Sequence, residues 1–131
     1  MEQWKNDVVV EDTGGVTARV DDGFFVRQND GYAKVCFGDI LWVEADNNYS
    51  DIHLRGGRVV CVIFSLTALM KRLPPGRFLR VHRSFAVNVF AVDRIVGNML
   101  CIGPHRVDVS RRYRKRVFLA FDFLEERNRD V

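Results

Sequence analysis

The chain has 131 residues, of which 47% are hydrophobic, and a formal net charge of +3. That length supports one domain with a real core and is too short for two of ordinary size. No apolar stretch approaches the roughly 18 residues a membrane helix needs, and no basic segment followed by an apolar run opens the chain, so the expectation is a protein without span or leader.

The net charge averages three regions. Residues 1 to 23 carry two basic and six acidic side chains, for −4; residues 24 to 121 carry sixteen and seven, for +9; residues 122 to 131 carry two and four, for −2. A positive charge of this size on about a hundred residues favours nucleic acid or an anionic membrane as partner, and says nothing of the fold. Cys36, Cys61 and Cys101 are odd in number, widely spaced and flanked by apolar residues. That pattern argues against a disulfide framework or a zinc site and fits buried thiols in a reducing cytoplasm.

Residues 1–23 are acidic and glycine-bearing and read as a linker or arm. From Phe24 the texture changes. The runs Phe24–Arg27 and Tyr32–Phe37 flank Gln28-Asn29-Asp30-Gly31, whose Asp-Gly pair predicts a hairpin. Ile40–Ala45 and Tyr49–Leu54 predict two strands around Asp46-Asn47-Asn48, and Val59–Phe64 follows the tight turn Arg55-Gly56-Gly57-Arg58. Short strands about ten residues apart indicate antiparallel β structure.

Ser65 suits a helix N-cap, Leu66, Leu69 and Leu73 share one face, Lys71 and Arg72 favour the C-terminal end, and Pro74-Pro75-Gly76 stops the helix. The next stretch, Arg77 to Asn88, interleaves Phe78, Val81, Phe85 and Val87 with Arg77, Arg80, His82 and Arg83. One short segment is thereby anchored in a core while it presents cations. Ala91–Val96, Met99–Ile102 and Arg106–Val109 read as three more strands, joined by Gly97-Asn98 and Gly103-Pro104-His105. Ser110 then caps a last helix from Arg111 to about Leu124, with Tyr113, Val117, Phe121 and Leu124 as its apolar stripe.

Arg111 and Arg112 in the first turn of that helix oppose its macrodipole, which becomes sensible if an anion sits there among free N–H groups and arginines. A solvated basic face is the competing reading. Glu44, Asp46, Asp51, His53 and His82 supply acids and bases, yet no Gly-x-Ser-x-Gly elbow, phosphate loop or His-x-x-x-His pair occurs. No catalytic residue, metal ligand or cofactor is therefore expected.

Several pieces together carry a resemblance: Asp39-Ile40-Leu41-Trp42-Val43-Glu44-Ala45, Asn48-Tyr49, Ser65-Leu66, Phe78 to Asn88, and Val109-Ser110-Arg111-Arg112-Tyr113. In order and spacing, from about Phe24 to Phe121, the chain resembles the LytTR-type DNA-binding domain, the output domain of LytR/AlgR-class bacterial response regulators. The resemblance implies a mainly β protein: an elongated antiparallel fold of about ten strands with one short internal helix and a C-terminal helix, in residues 24–121, followed by a tail at 122–131. It also implies binding to double-stranded DNA through loops set into the major groove, in a cytoplasmic transcription regulator.

Carried over by motif, the base-reading positions are Asn48, Tyr49, Arg83 and Arg111; Arg can bind guanine O6 and N7 together. Arg77, Arg80, His82, Arg112, Arg114 and Lys115 are the candidate phosphate contacts. His82 has a second reading as a turn-fixing hydrogen bonder, Asn88 reads as closing the turn that follows it, and Asn47-Asn48-Tyr49 could form a simple Asx-type turn. Response regulators of this class carry an N-terminal phosphoacceptor domain, which residues 1–23 cannot form. The chain is then either an excised output domain or a stand-alone regulator, and dimerisation would match two half-sites. The contrasting reading is a basic β module for RNA or a protein partner, with Tyr32, Trp42 and Tyr49 as stacking platforms; Trp42 lies in an apolar strand and reads as core.

Overall fold

The computed structural model describes residues 22–127, so almost all of the acidic arm and the last four residues of the tail lie outside the described residues. The described residues divide into two compact units, the first ending at Phe37 and the second beginning at Gly38.

In the first unit, β1 (Gly23–Gln28) and β2 (Gly31–Cys36) pair antiparallel. The expected turn Gln28-Asn29-Asp30-Gly31 forms: Gln28 pairs with Gly31, and the two central residues are Asn29-Asp30, with Asn29 at φ 44°. Asparagine tolerates the left-handed region because its short amide bonds locally, so the turn does not need the glycine. Gly23 does need to be glycine, since a Cβ there would lie 2.4 Å from the Val35 carbonyl oxygen. The Asp22 carboxylate meets the Lys34 ammonium at 2.9 Å. Hydrogen bonding to Lys34 holds the Asp22 carboxyl below its usual range, and the same contact raises Lys34.

The second unit holds two antiparallel sheets. The larger is built from β3 (Ile40–Asp46), β4 (Tyr49–Leu54), β5 (Val59–Val62), β6 (Phe78–His82) and β7 (Phe85–Asn88), in the order β5-β4-β3-β7-β6. The smaller runs β8-β9-β10 and comprises Arg94–Val96, Met99–Ile102 and His105–Asp108. Ten strands in three sheets, counting the first hairpin, match the expected architecture among the described residues.

The strand register decides which side chains share a face. Val43 is opposite both Ile52 and Ala86, and Ile52 is opposite Val60, so these apolar residues line one side. Helix α1 (Leu66–Met70) packs against β3 and β4 and buries Leu66 and Leu69. The Ser65 hydroxyl caps it, accepting from the Ala68 N–H at 3.1 Å. On the other side Trp42 and Val87 join Leu100, Ile102, Val107, Val109 and Val117 in a second buried cluster. Burying each such side chain contributes roughly 1.5–3 kcal/mol. Trp42 is core, as its strand context suggested: its ring stacks on His53 at 4.2 Å and meets His105 at 4.4 Å.

Two expectations change. The last helix does not run from Arg111 to Leu124: Arg111–Tyr113 form a 3-10 turn, and helix α2 covers only Arg114–Leu119. Ser110 makes no side-chain cap bond, and Leu124 is 89% exposed. The core cluster takes up Val117 fully and Tyr113 and Phe121 partly, and the stripe stops there. The cysteines also differ from a uniformly buried set, since Cys101 is buried, Cys36 half-buried and Cys61 exposed. Cys61 alternates with buried Val60 on edge strand β5, and the period of two turns its thiol outward despite apolar neighbours.

Among the described residues no helix is long and apolar enough to cross a membrane.

Candidate nucleic-acid interface

Three turns assemble at one end of the larger sheet. The first joins β3 to β4: Asp46 pairs with Tyr49, leaving Asn47-Asn48 as a two-residue turn with Asn47 at φ 60°. The second joins β6 to β7: His82 pairs with Phe85, leaving Arg83-Ser84 at its tip. The third is the entry to the C-terminal segment at Ser110-Arg111.

Backbone bonds bring them together. The Ala45 N–H donates to the Ser84 carbonyl at 2.8 Å, tying the first turn to the second. The Ser110 N–H donates to the Val81 carbonyl at 3.0 Å, tying the third to the same end of β6. Asn48, Tyr49, Arg83 and Arg111 therefore share one end of the sheet, and all four are exposed. Among the described residues the guanidiniums of Arg83 and Arg111 have no hydrogen-bond or ion-pair partner, so both are available to a ligand.

The supporting residues are specific. The Ser84 N–H donates to His82 Nδ1 at 3.0 Å, so His82 fixes the second turn, which was one of its two readings. Arg80 donates through Nε to the His82 carbonyl at 3.1 Å, through Nη2 to the Arg83 carbonyl, and through Nη1 to Thr67 Oγ1 at 3.3 Å. Its fork is thus engaged within the protein, clamping the backbone that presents Arg83. Ser50, fully buried, donates its hydroxyl to the Phe64 carbonyl at 2.7 Å and fastens the start of β4 to the chain entering α1.

The remaining cations fall into two places. Arg112 and Lys115 are exposed beside Arg111, and Arg114 donates Nε to the Val109 carbonyl at 3.3 Å. Arg77 is elsewhere. It precedes β6 while Arg83 follows it, roughly 20 Å away at the ordinary strand rise of about 3.3 Å per residue. Its guanidinium stacks over the Phe90 ring at 5.2 Å, so Arg77 is not brought to the three turns. Asn88 lies at that far end too. It is 1% exposed, donates to the Ile40 carbonyl at 2.9 Å and accepts from the Phe90 N–H at 3.0 Å, closing the turn that follows it.

Sequence reasoning missed the buried Ser50 anchor, the clamping role of Arg80 and the closeness of Thr67 to Arg80. The first is hinted at by a serine at an inward position of β4; the clamp depends on which acceptors the Arg80 fork finds two and three residues on, and the Thr67 contact spans thirteen residues. Carboxylates are also present at this end, Asp46 on the first turn and Asp51 on β4. Hydrogen bonding to Asp51 pushes the exposed Cys61 thiol up from its ordinary range, because a nearby carboxylate disfavours the thiolate. No group of three or more His, Cys, Asp or Glu is placed to hold a metal ion among the described residues.

Two of the three turns gathered at this sheet end present an exposed arginine, a surface suited to an anionic partner. Residues 30–122 match the family model of the LytTr DNA-binding domain, and the chain belongs to that family. The fold is similar to that of a solved LytTr DNA-binding domain, from a protein of Bacillus cereus described as a methyl-accepting/DNA response regulator. The two share 25% identity at a TM-score of 0.67, over 78% of this chain and 98% of that one. A CO-responsive transcriptional regulator of Rhodospirillum rubrum, RcoM, is 44% identical over 48 residues, which are 37% of this chain and 20% of that protein. The chain thus matches about a fifth of the length of this relative.

Proposed function

We propose that the chain is the DNA-reading module of a bacterial transcription regulator, and that it reads sequence through Asn48, Tyr49, Arg83 and Arg111 from the three gathered turns. The observation that carries this reading is the pair of backbone bonds, Ala45 to Ser84 and Ser110 to Val81, which hold two unpaired arginines and an exposed Asn-Tyr turn at one end of a rigid sheet. Turns of this width enter the major groove as a two-stranded ribbon does, and an arginine there meets guanine O6 and N7. Arg112, Arg114 and Lys115 flank Arg111 and serve the phosphates, setting register without reading bases. His82 and Arg80 act from behind as positioning residues, and Arg77 is a packing residue of the far end.

The module works in the cytoplasm by binding, without catalysis. Regulation comes from a sensory or phosphoacceptor partner domain, and two copies occupy half-sites about one helical turn apart. The test is selection of duplexes from a randomised pool, followed by affinities of the winners against salt. A repeated short motif with a steep negative salt slope is expected. Arg83→Ala and Arg111→Ala should each lose about 1–3 kcal/mol of specific affinity and relax preference at one base position. Variants that bound every sequence as the parent does would refute the assignment of these two arginines.

A further inference from the structure

Beside the second turn lies a notch of about 320 Å³ lined by Thr67, Met70, Arg80, Arg112, Tyr113 and Arg116. It draws on three separate parts of the chain: α1 supplies Thr67 and Met70, β6 supplies Arg80, and the 3-10 turn with α2 supplies the rest. Three arginines converge there and none of the lining residues is acidic. Among the described residues, Arg112 and Arg116 have no carboxylate partner within 4.0 Å. Arg112 is held over the Tyr113 ring at 6.0 Å, which orients it without neutralising it.

A folded chain gains nothing by gathering like charges around an open notch, because their mutual repulsion disfavours the compact state. The arrangement makes sense when an anion sits between them. Arg80 fixes the chemistry further. Its Nη1 donates to Thr67 Oγ1, so the hydroxyl acts there as an acceptor and its own hydrogen is directed elsewhere. Thr67 can then donate to an oxygen held between Arg112 and Arg116. Met70 and Tyr113 add an apolar wall beside the charges, which suits a sugar attached to the phosphate.

We infer that this notch is a docking site for a backbone phosphodiester of the bound duplex, with Thr67, Arg112 and Arg116 as its contacts. The inference rests on the reading of the three turns as the DNA-facing end, and it extends that surface onto α1 and α2. Thr67 and Arg116 are new participants. Arg80 links the notch to base reading, since the same guanidinium that presents the Thr67 hydroxyl also holds the carbonyls of His82 and Arg83. A strand seated in the notch is thereby registered against the arginine that reads it.

The experiment compares the parent with Arg112→Ala/Arg116→Ala and with Thr67→Val, which keeps the branched shape and removes the hydroxyl. Affinities for the selected duplex and for a random duplex are measured from 50 to 200 mM salt, with exposed Arg94→Ala as a control for simple loss of charge. Removing two phosphate contacts should weaken both duplexes alike and reduce the salt slope by about 1–2 units, so that the deficit shrinks roughly 12-fold or less across that range. Thr67→Val should weaken both duplexes a few-fold, and Arg94→Ala should leave the slope unchanged. Titrating inorganic phosphate and then a random duplex into isotopically labelled protein, observing the Thr67 amide, separates the two sources of phosphate. A shift with duplex at low salt supports the inference; saturation by free phosphate with no response to duplex overturns it. An unchanged slope in the double variant overturns the notch assignment even where Arg83→Ala still abolishes sequence preference. Loss of sequence preference in the parent itself would instead undo the underlying reading of the turns.

Discussion

Replacing Asn88 by alanine isolates the contact that sets β7 against β3. The side chain is 1% exposed, its amide donates to the Ile40 carbonyl at 2.9 Å, and its oxygen accepts from the Phe90 N–H at 3.0 Å. Each neutral hydrogen bond contributes about 1 kcal/mol net, and a buried carbonyl left without its donor costs about 1–2 kcal/mol more, so the expected loss is about 3 kcal/mol. For a domain of roughly a hundred residues that is a fall in Tm of about 12–24 °C. Urea unfolding followed by circular dichroism measures it, with an unchanged m-value showing that the same structure is lost. Asn88→Asp is the informative companion. It keeps the acceptor for Phe90 but turns a carboxylate oxygen towards the Ile40 carbonyl, so it should fail to rescue. A loss below about 1 kcal/mol in the alanine variant would show that the two bonds are replaced by water, and the argument from burial would fall. Because Asn88 lies at the far end of β7, folded Asn88→Ala protein studied in the cold should retain the parent's sequence preference.

Other expected outcomes follow from the turns and the titrating groups. Asn47 sits at φ 60°, so Asn47→Val should cost about 1–2 kcal/mol in a denaturation series while Asn47→Gly stays close to the parent. The Cys61 thiol should alkylate slowly at neutral pH for an exposed cysteine, and Asp51→Asn should speed the reaction by lowering the thiol's pKa; unchanged rates would remove Asp51 as the cause. Asp22 is depressed by Lys34, so whatever the pair contributes is present above the ordinary carboxylate range and disappears as pH falls through the depressed value. Lys34→Met should move the Asp22 midpoint, followed by NMR, upward into that ordinary range, and high salt should do part of the same.

The arginine-rich stretch shows how far local pattern reaches. Of the residues read as anchors, Phe78, Val81 and Val87 are buried and Phe85 is half-buried, and Arg83, read as presented, is exposed at a turn. Arg77 and Arg80 looked equivalent to Arg83 in that pattern, yet one stacks on Phe90 at the far end and the other donates to the backbone of its own turn. An arginine's sequence neighbours report its strand and nothing about which acceptor its long side chain will find. The last helix was misjudged for a related reason: helical spacing of apolar residues continues to Leu124, but the length of helix that forms depends on how much core surface remains to receive it.

The sequence by itself determined the strand and turn chemistry, the cap at Ser65 and the family pattern. These are local properties, fixed by backbone preference and a period of two or of 3.6. Only the tertiary structure decided which of the cations lie together. The Ala45–Ser84 and Ser110–Val81 bonds join segments tens of residues apart, and Arg80 and Thr67 meet across thirteen. Contacts between distant segments depend on strand order and register, which the burial of both sheet faces sets for the chain as a whole.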